Sequence, residues 1–226
     1  MKNLQKMGGF AAFYAGAAYI VGIVGFLLVV GWPDDPVQQM AVLTENQLNL
    51  HILYLIAYQG FAIALVALTL ALYDRLQAGS SAMMQTATAI GMIWATVVIA
   101  SGMIFNIGMD TVSHLYAKDP AQALTVWLAI SVVCNGLGGG NEILGGLWIL
   151  LISWAALRAG GLPRILNYLG ALIGIAGIAS ALPGLGEVGL IFGLGQIVWF
   201  VWLGIILWRS SPSTRPSALS VTPKLA

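Results

Sequence analysis

The chain has 226 residues, of which 59% are hydrophobic and 8% charged, with a formal net charge of +1. Ordinary soluble domains carry about 25% charged residues, so this chain cannot cover a water-facing surface and lipid is the solvent for most of it. The near-neutral balance, with no basic patch, excludes nucleic acid as a partner, and the single cysteine, Cys134, excludes an internal disulfide and a multi-cysteine metal site.

A bilayer core of about 30 Å takes roughly 20 apolar residues of helix. The apolar runs are continuous rather than alternating, which predicts helices and not barrel strands. The first span is read at residues 8–31; it is too long for a signal-peptide core and runs into Trp32-Pro33-Asp34-Asp35 without a small-residue cleavage pattern. Residues 35–47 are polar, with Val37, Met40 and Leu43 at near-helical spacing, and predict a short helix on the outer surface. Spans at 48–73 and 83–107 follow. Residues 120–157 then hold two apolar runs separated by GLGGGNE. One helix over both would be about 57 Å long, far more than a bilayer needs. The fourth span is therefore read at 141–157, the fifth at 165–182 and the sixth at 188–208. The piece at about 120–136 lies at the outer surface, dips in as a re-entrant segment, or extends the fourth helix obliquely. Residues 209–226, rich in proline and hydroxyls, predict a disordered cytoplasmic tail. Residues 1–208 are thus expected to form a single transmembrane helical domain.

Charge settles the parity of crossings. With six crossings and the N-terminus inside, Lys2, Lys6, Arg75, Arg158, Arg164, Arg209, Arg215 and Lys224 are all cytoplasmic and only Lys118 is outside. The best seven-crossing arrangement keeps just Lys118, Arg158, Arg164, Arg209, Arg215 and Lys224 inside. The expectation is an all-α bundle of six helices in a bacterial inner membrane, with both termini cytoplasmic.

The stretches GGGNEILGGLWILLISWAALR, LPRILNYLGALIGIAGI and FGLGQIVWFVWLGIIL resemble a bacterial membrane family, domain of unknown function 4386. The likeness is strongest from Gly138 onward and includes Asn141, Glu142, Trp148, Asn167, Tyr168 and Gln196. It implies a polytopic helical membrane protein and carries no activity with it.

Glu142 is the most informative residue. An ionised side chain at the centre of a membrane helix costs about 2.5–3.5 kcal/mol on insertion scales. Beside Asn141 and after a glycine run, it is either a ligand, proton or cation site, or a carboxylate favoured by a helix N-terminus. His51, Tyr54 and Tyr58 share one face of the second span. Asn106, Asp110 and His114 form a second stripe if the third helix continues past Ile107. Both stripes and Glu142 lie at one depth, which predicts a polar pocket near the outer leaflet built from these residues.

His51, His114, Asp110 and Glu142 are acceptable metal-ligand types, but their spacing is no metal motif. No cofactor is expected. Haem would need His51 and His114 facing one another, and a retinal Schiff base would need a lysine within a span, whereas Lys2, Lys6, Lys118 and Lys224 all lie outside. There is no GxSxG nucleophile elbow. Gly170 and Gly174 form a small-xxx-small pair, read as internal packing with a homo-oligomer face as the alternative. Gln196 sits mid-span and wants a hydrogen-bonding partner.

Three functions fit these residues. The first is binding of a small or lipid-like ligand in the outer pocket, with transport as one use of it. The second is an accessory subunit packed against a membrane-protein partner. The third is an enzyme using Glu142 and His51 as acid and base, which has too few convergent polar groups to lead.

Overall fold

The computed structural model describes residues 2–139 and 142–209. Asn141 and the expected tail over 210–226 lie outside the described residues. Nine α-helices are described: α1 (Lys2–Val24), α2 (Pro36–Glu45), α3 (Gln47–Tyr54), α4 (Phe61–Leu76), α5 (Ser81–Tyr116), α6 (Pro120–Cys134), α7 (Ile143–Ala159), α8 (Arg164–Ser180) and α9 (Gly189–Arg209). There is no strand among the described residues. Wide π-helical turns at Gly25–Val30 and Leu55–Gly60 interrupt or extend the rods, and Asn135–Gly139 after α6 is a kink in which Gly138 leaves the helical conformation.

Five stretches are long and apolar enough to cross a bilayer: Asn3–Leu28, Gln47–Leu76, Ser81–Tyr116, Gly186–Arg209 and Pro120–Ala159, the last comprising α6 and α7 with residues 140–141 between them outside the described residues. A further apolar helix, α8, is shorter at 17 residues. The chain is a multi-pass membrane protein folded as a helical bundle.

Local chemistry starts and stops the helices. Asp35 accepts from the Val37 amide at 3.0 Å with Pro36 in the first turn of α2, and Asp119 accepts from the Gln122 amide at 3.0 Å with Pro120 leading α6. Each carboxylate satisfies a first-turn N–H that the helix cannot, and each proline sits where its missing N–H is not needed. Gly160, at φ 71°, closes α7 in the left-handed region that glycine reaches without penalty.

Two cores stack along α5. The first joins α1, α4, α7, α8 and α9 around Trp148, Trp199 and Phe200 with the N-terminal half of α5. The second joins α2, α3 and α6 to the C-terminal half of α5, around Met40, Leu43, Tyr54, Phe105 and Trp127. At 36 residues, α5 is about 54 Å long, so one rod serves both cores. The Pro120–Cys134 segment is a regular helix that packs against α5 and α2. Its end is tied down by a reciprocal pair: Ser101 Oγ donates to the Cys134 carbonyl at 3.0 Å, and Cys134 Sγ donates to the Ser101 carbonyl at 3.5 Å. Trp127 Nε1 donates to Gln39 Oε1 at 2.7 Å, joining α6 to α2.

Glycines let backbones touch inside the bundle. A methyl added at Gly146 would lie 2.6 Å from the Gly174 carbonyl oxygen, and one at Gly174 would lie 2.7 Å from that of Gly146. Gly170 faces Trp199 and Ser153. The Gly170–Gly174 face is therefore internal packing between α8 and its neighbours α7 and α9.

Candidate functional site

A cavity of about 620 Å³ lies where the two cores meet, within the range usual for small-molecule sites. α1 supplies Tyr19, the Gly25–Val30 turn after it supplies Phe26, the Leu55–Gly60 turn supplies Tyr58, α4 begins with Phe61, and α5 adds Trp94. Gly138 and Glu142 approach from the α6–α7 junction, and α9 contributes Gly193 and Leu194.

Its wall is a set of edge-to-face rings. Tyr19 and Phe61 meet with centroids 5.5 Å apart at 81°, and Phe61 meets Trp94 at 5.4 Å and 70°. Such T-shaped contacts set the positive edge of one ring against the negative face of the next. Behind them Tyr58 stacks on Tyr54 at 4.5 Å, and Tyr54 on Phe105 at 3.6 Å. The Leu55–Gly60 turn is braced from outside by Tyr14, whose hydroxyl donates to the Ile56 carbonyl at 3.1 Å.

The opening follows from how α1 and α9 pack. At one end they touch closely: a methyl on Gly9 would lie 3.0 Å from the Trp208 amide nitrogen and 3.2 Å from the Gly204 oxygen. At the other end Gly193 has nothing within 4 Å of its absent side chain, and Gly22 reaches only Ala57, at 3.7 Å. The cavity lies between these parted ends, and Leu27, Leu190 and Leu194 along it are exposed.

Glu142 precedes α7 with φ −109° and ψ 23°, and its side chain makes no capping hydrogen bond. Its backbone carbonyl accepts from Gly146 at 2.8 Å instead. Half-buried Glu142 thus lines the cavity without serving as an N-terminal cap. Among the described residues lining the cavity, Glu142 is the sole acidic one, and none is basic.

Of the residues read as a pocket from sequence, Glu142 and Tyr58 line this cavity together. Tyr54 is buried one ring behind. His51 is half-buried at the C-terminal end of α3 and is not among the lining residues, so it does not share the cavity with Glu142. Asn106, Asp110 and His114 all sit on α5, which continues to Tyr116. Asn106 is buried, Asp110 half-buried and His114 exposed, with His114 Nδ1 donating to the Asp110 carbonyl at 2.7 Å. None of the three lines the cavity. Asn141 lies outside the described residues. Among the described residues, no three His, Cys, Asp or Glu side chains gather as a metal-ligand set. Tyr19, Phe26, Phe61 and Trp94 were not singled out by sequence, because a lone aromatic within an apolar run looks the same in a wall as in a core.

A family profile described as a domain of unknown function (DUF4386) matches residues 14–206. The chain belongs to that family. No curated protein and no solved structure matches it.

Proposed function

We propose that this member of the family binds a lipid-like molecule in the cavity, taking it from the bilayer through the gap between the parted ends of α1 and α9. One observation carries the reading: a cavity of about 620 Å³, aromatic and aliphatic in its walls, holds one acidic side chain and is bordered by exposed leucines on α9 and on the turn that ends α1. Leu27, Leu190 and Leu194 suit an acyl chain, and Glu142 with the tyrosine hydroxyls suits a polar end. A water-soluble ligand would have no use for an apolar flank of this kind.

The same reading includes six crossings of a bacterial inner membrane with both termini cytoplasmic. The distribution of Lys and Arg supports it. The cavity then sits at the level of the outer leaflet, because the α1–α2 and α8–α9 connections that flank it are on the outer side.

Native mass spectrometry of the protein released from micelles tests the binding. Wild type should retain one amphiphile per chain. Gly193→Trp, which fills open space at the gap, should lose it while keeping its thermal stability. Equal retention by both proteins would remove the cavity from consideration.

A further inference from the structure

We propose that the bound molecule is a cationic amphiphile, with an alkylammonium head held between Glu142 and the aromatic wall and its chain lying along the α1–α9 gap. This rests on the reading that the cavity binds a lipid-like molecule.

The charge balance of the lining selects the head group. Glu142 is the sole acidic side chain among the described lining residues, which include no lysine, arginine or histidine. An anionic head would meet a like charge with nothing to offset it. A sugar or other polyhydroxyl head would need many hydrogen-bonding side chains, and the described lining offers four: Glu142, Tyr19, Tyr58 and the indole N–H of Trp94. A cation is attracted by both kinds of surface present. The carboxylate attracts it directly, and the ring faces of Trp, Tyr and Phe attract it through their quadrupoles.

The ring geometry fits the same ligand. Tyr19, Phe61 and Trp94 form one continuous wall by edge contacts of 5.5 and 5.4 Å, and Tyr58, three residues before Phe61, lines the same cavity. Glu142, Tyr19 and Tyr58 line the same cavity, so carboxyl and rings face one bound molecule. A compact tetraalkylammonium, bulky and weakly hydrated, exploits ring faces where a hydrogen-bonding head cannot.

The test compares three probes of equal chain length on the full chain in dodecyl maltoside: dodecyltrimethylammonium, dodecanol and dodecanoate. Binding is read by thermal stabilisation of the wild type and of Glu142→Gln. The expected result is roughly tenfold tighter binding of the ammonium probe than of dodecanol by wild type, a ratio equivalent to about 1.4 kcal/mol. Glu142→Gln should bring the two together while dodecanol binding persists. Equal binding of the ammonium and alcohol probes by wild type, or a preference for dodecanoate, would overturn the head-group assignment and leave cavity binding standing. No stabilisation by any of the three would overturn both. The wild-type comparison decides the matter even where the variant fails to fold.

Discussion

The Tyr14 hydroxyl on α1 donates to the Ile56 carbonyl on the facing turn, 3.1 Å away. A π turn breaks the regular i→i−4 ladder, so a carbonyl there is open to a side-chain donor. This bond fixes the turn that aims Tyr58 into the cavity. It also dictates glycine at position 60, where any side chain would strike the same hydroxyl. Tyr14→Phe should lower unfolding stability in detergent by about 1 kcal/mol. Gly60→Ala should cost about 1–3 kcal/mol, since the brace must move. Thermal unfolding followed by tryptophan fluorescence measures both, and an unchanged Gly60→Ala would show that the turn relaxes freely.

Gly146 and Gly193 make opposite predictions from the same residue type. Gly146→Ala sets a methyl 2.6 Å from the Gly174 oxygen and 2.8 Å from the Ile178 nitrogen, both backbone atoms that cannot rotate away. It should force α7 and α8 apart and cost about 1–3 kcal/mol. Gly193→Ala meets open space and should leave the melting temperature at or above that of wild type, because alanine favours helix by about 1 kcal/mol. A pair of melting curves checks the contrast.

Much of this arrangement was readable from residues, and the limits have identifiable causes. The continuous apolar runs locate the helices because lipid demands them, and Val37, Met40 and Leu43 announced α2, in which Met40 and Leu43 are indeed buried. The span read at 83–107 falls short of α5 because the apolar run ends at Ile107 while the helix continues to Tyr116. Nothing breaks it before Lys118-Asp119-Pro120, and its polar extension packs on α2 and α6. The stripe from Asn106 to His114 turns outward because each four-residue step rotates about 40° around a 3.6-residue helix. Asn106 therefore faces the core and His114 faces out. Glu142 stood out since charge in a span is rare, whereas Tyr19, Phe61 and Trp94 depend on helices meeting, which no local pattern encodes.

Gln196 is fully buried in α9, and neither its Nε2 nor its Oε1 has a hydrogen-bond partner among the described residues. Leaving such a group unsatisfied costs about 1–3 kcal/mol, whereas an apolar replacement of similar shape removes the penalty. Gln196→Leu should therefore raise thermal stability. A fall instead would mean that the amide bonds to buried water, which polar interiors hold.

The crossing count turns on α8. Its 17 residues span about 25 Å, short of the average hydrocarbon core yet within the lower limit for a spanning helix. The positions that report on it are exposed: Lys118 before α6, Glu187 between α8 and α9, Ala78 between α4 and α5, and Arg164 at the start of α8. In a Cys134→Ser background, a membrane-impermeant maleimide applied to intact cells should label Lys118→Cys and Glu187→Cys. Ala78→Cys and Arg164→Cys should react only after the membrane is opened. If α8 stays on one side, Glu187→Cys will share the protection of Ala78→Cys while Lys118→Cys remains reactive. That pattern would give five crossings, put the C-terminus outside, and strip the cavity of its outer-leaflet position, since Glu187 and the start of α9 would then face the cytoplasm.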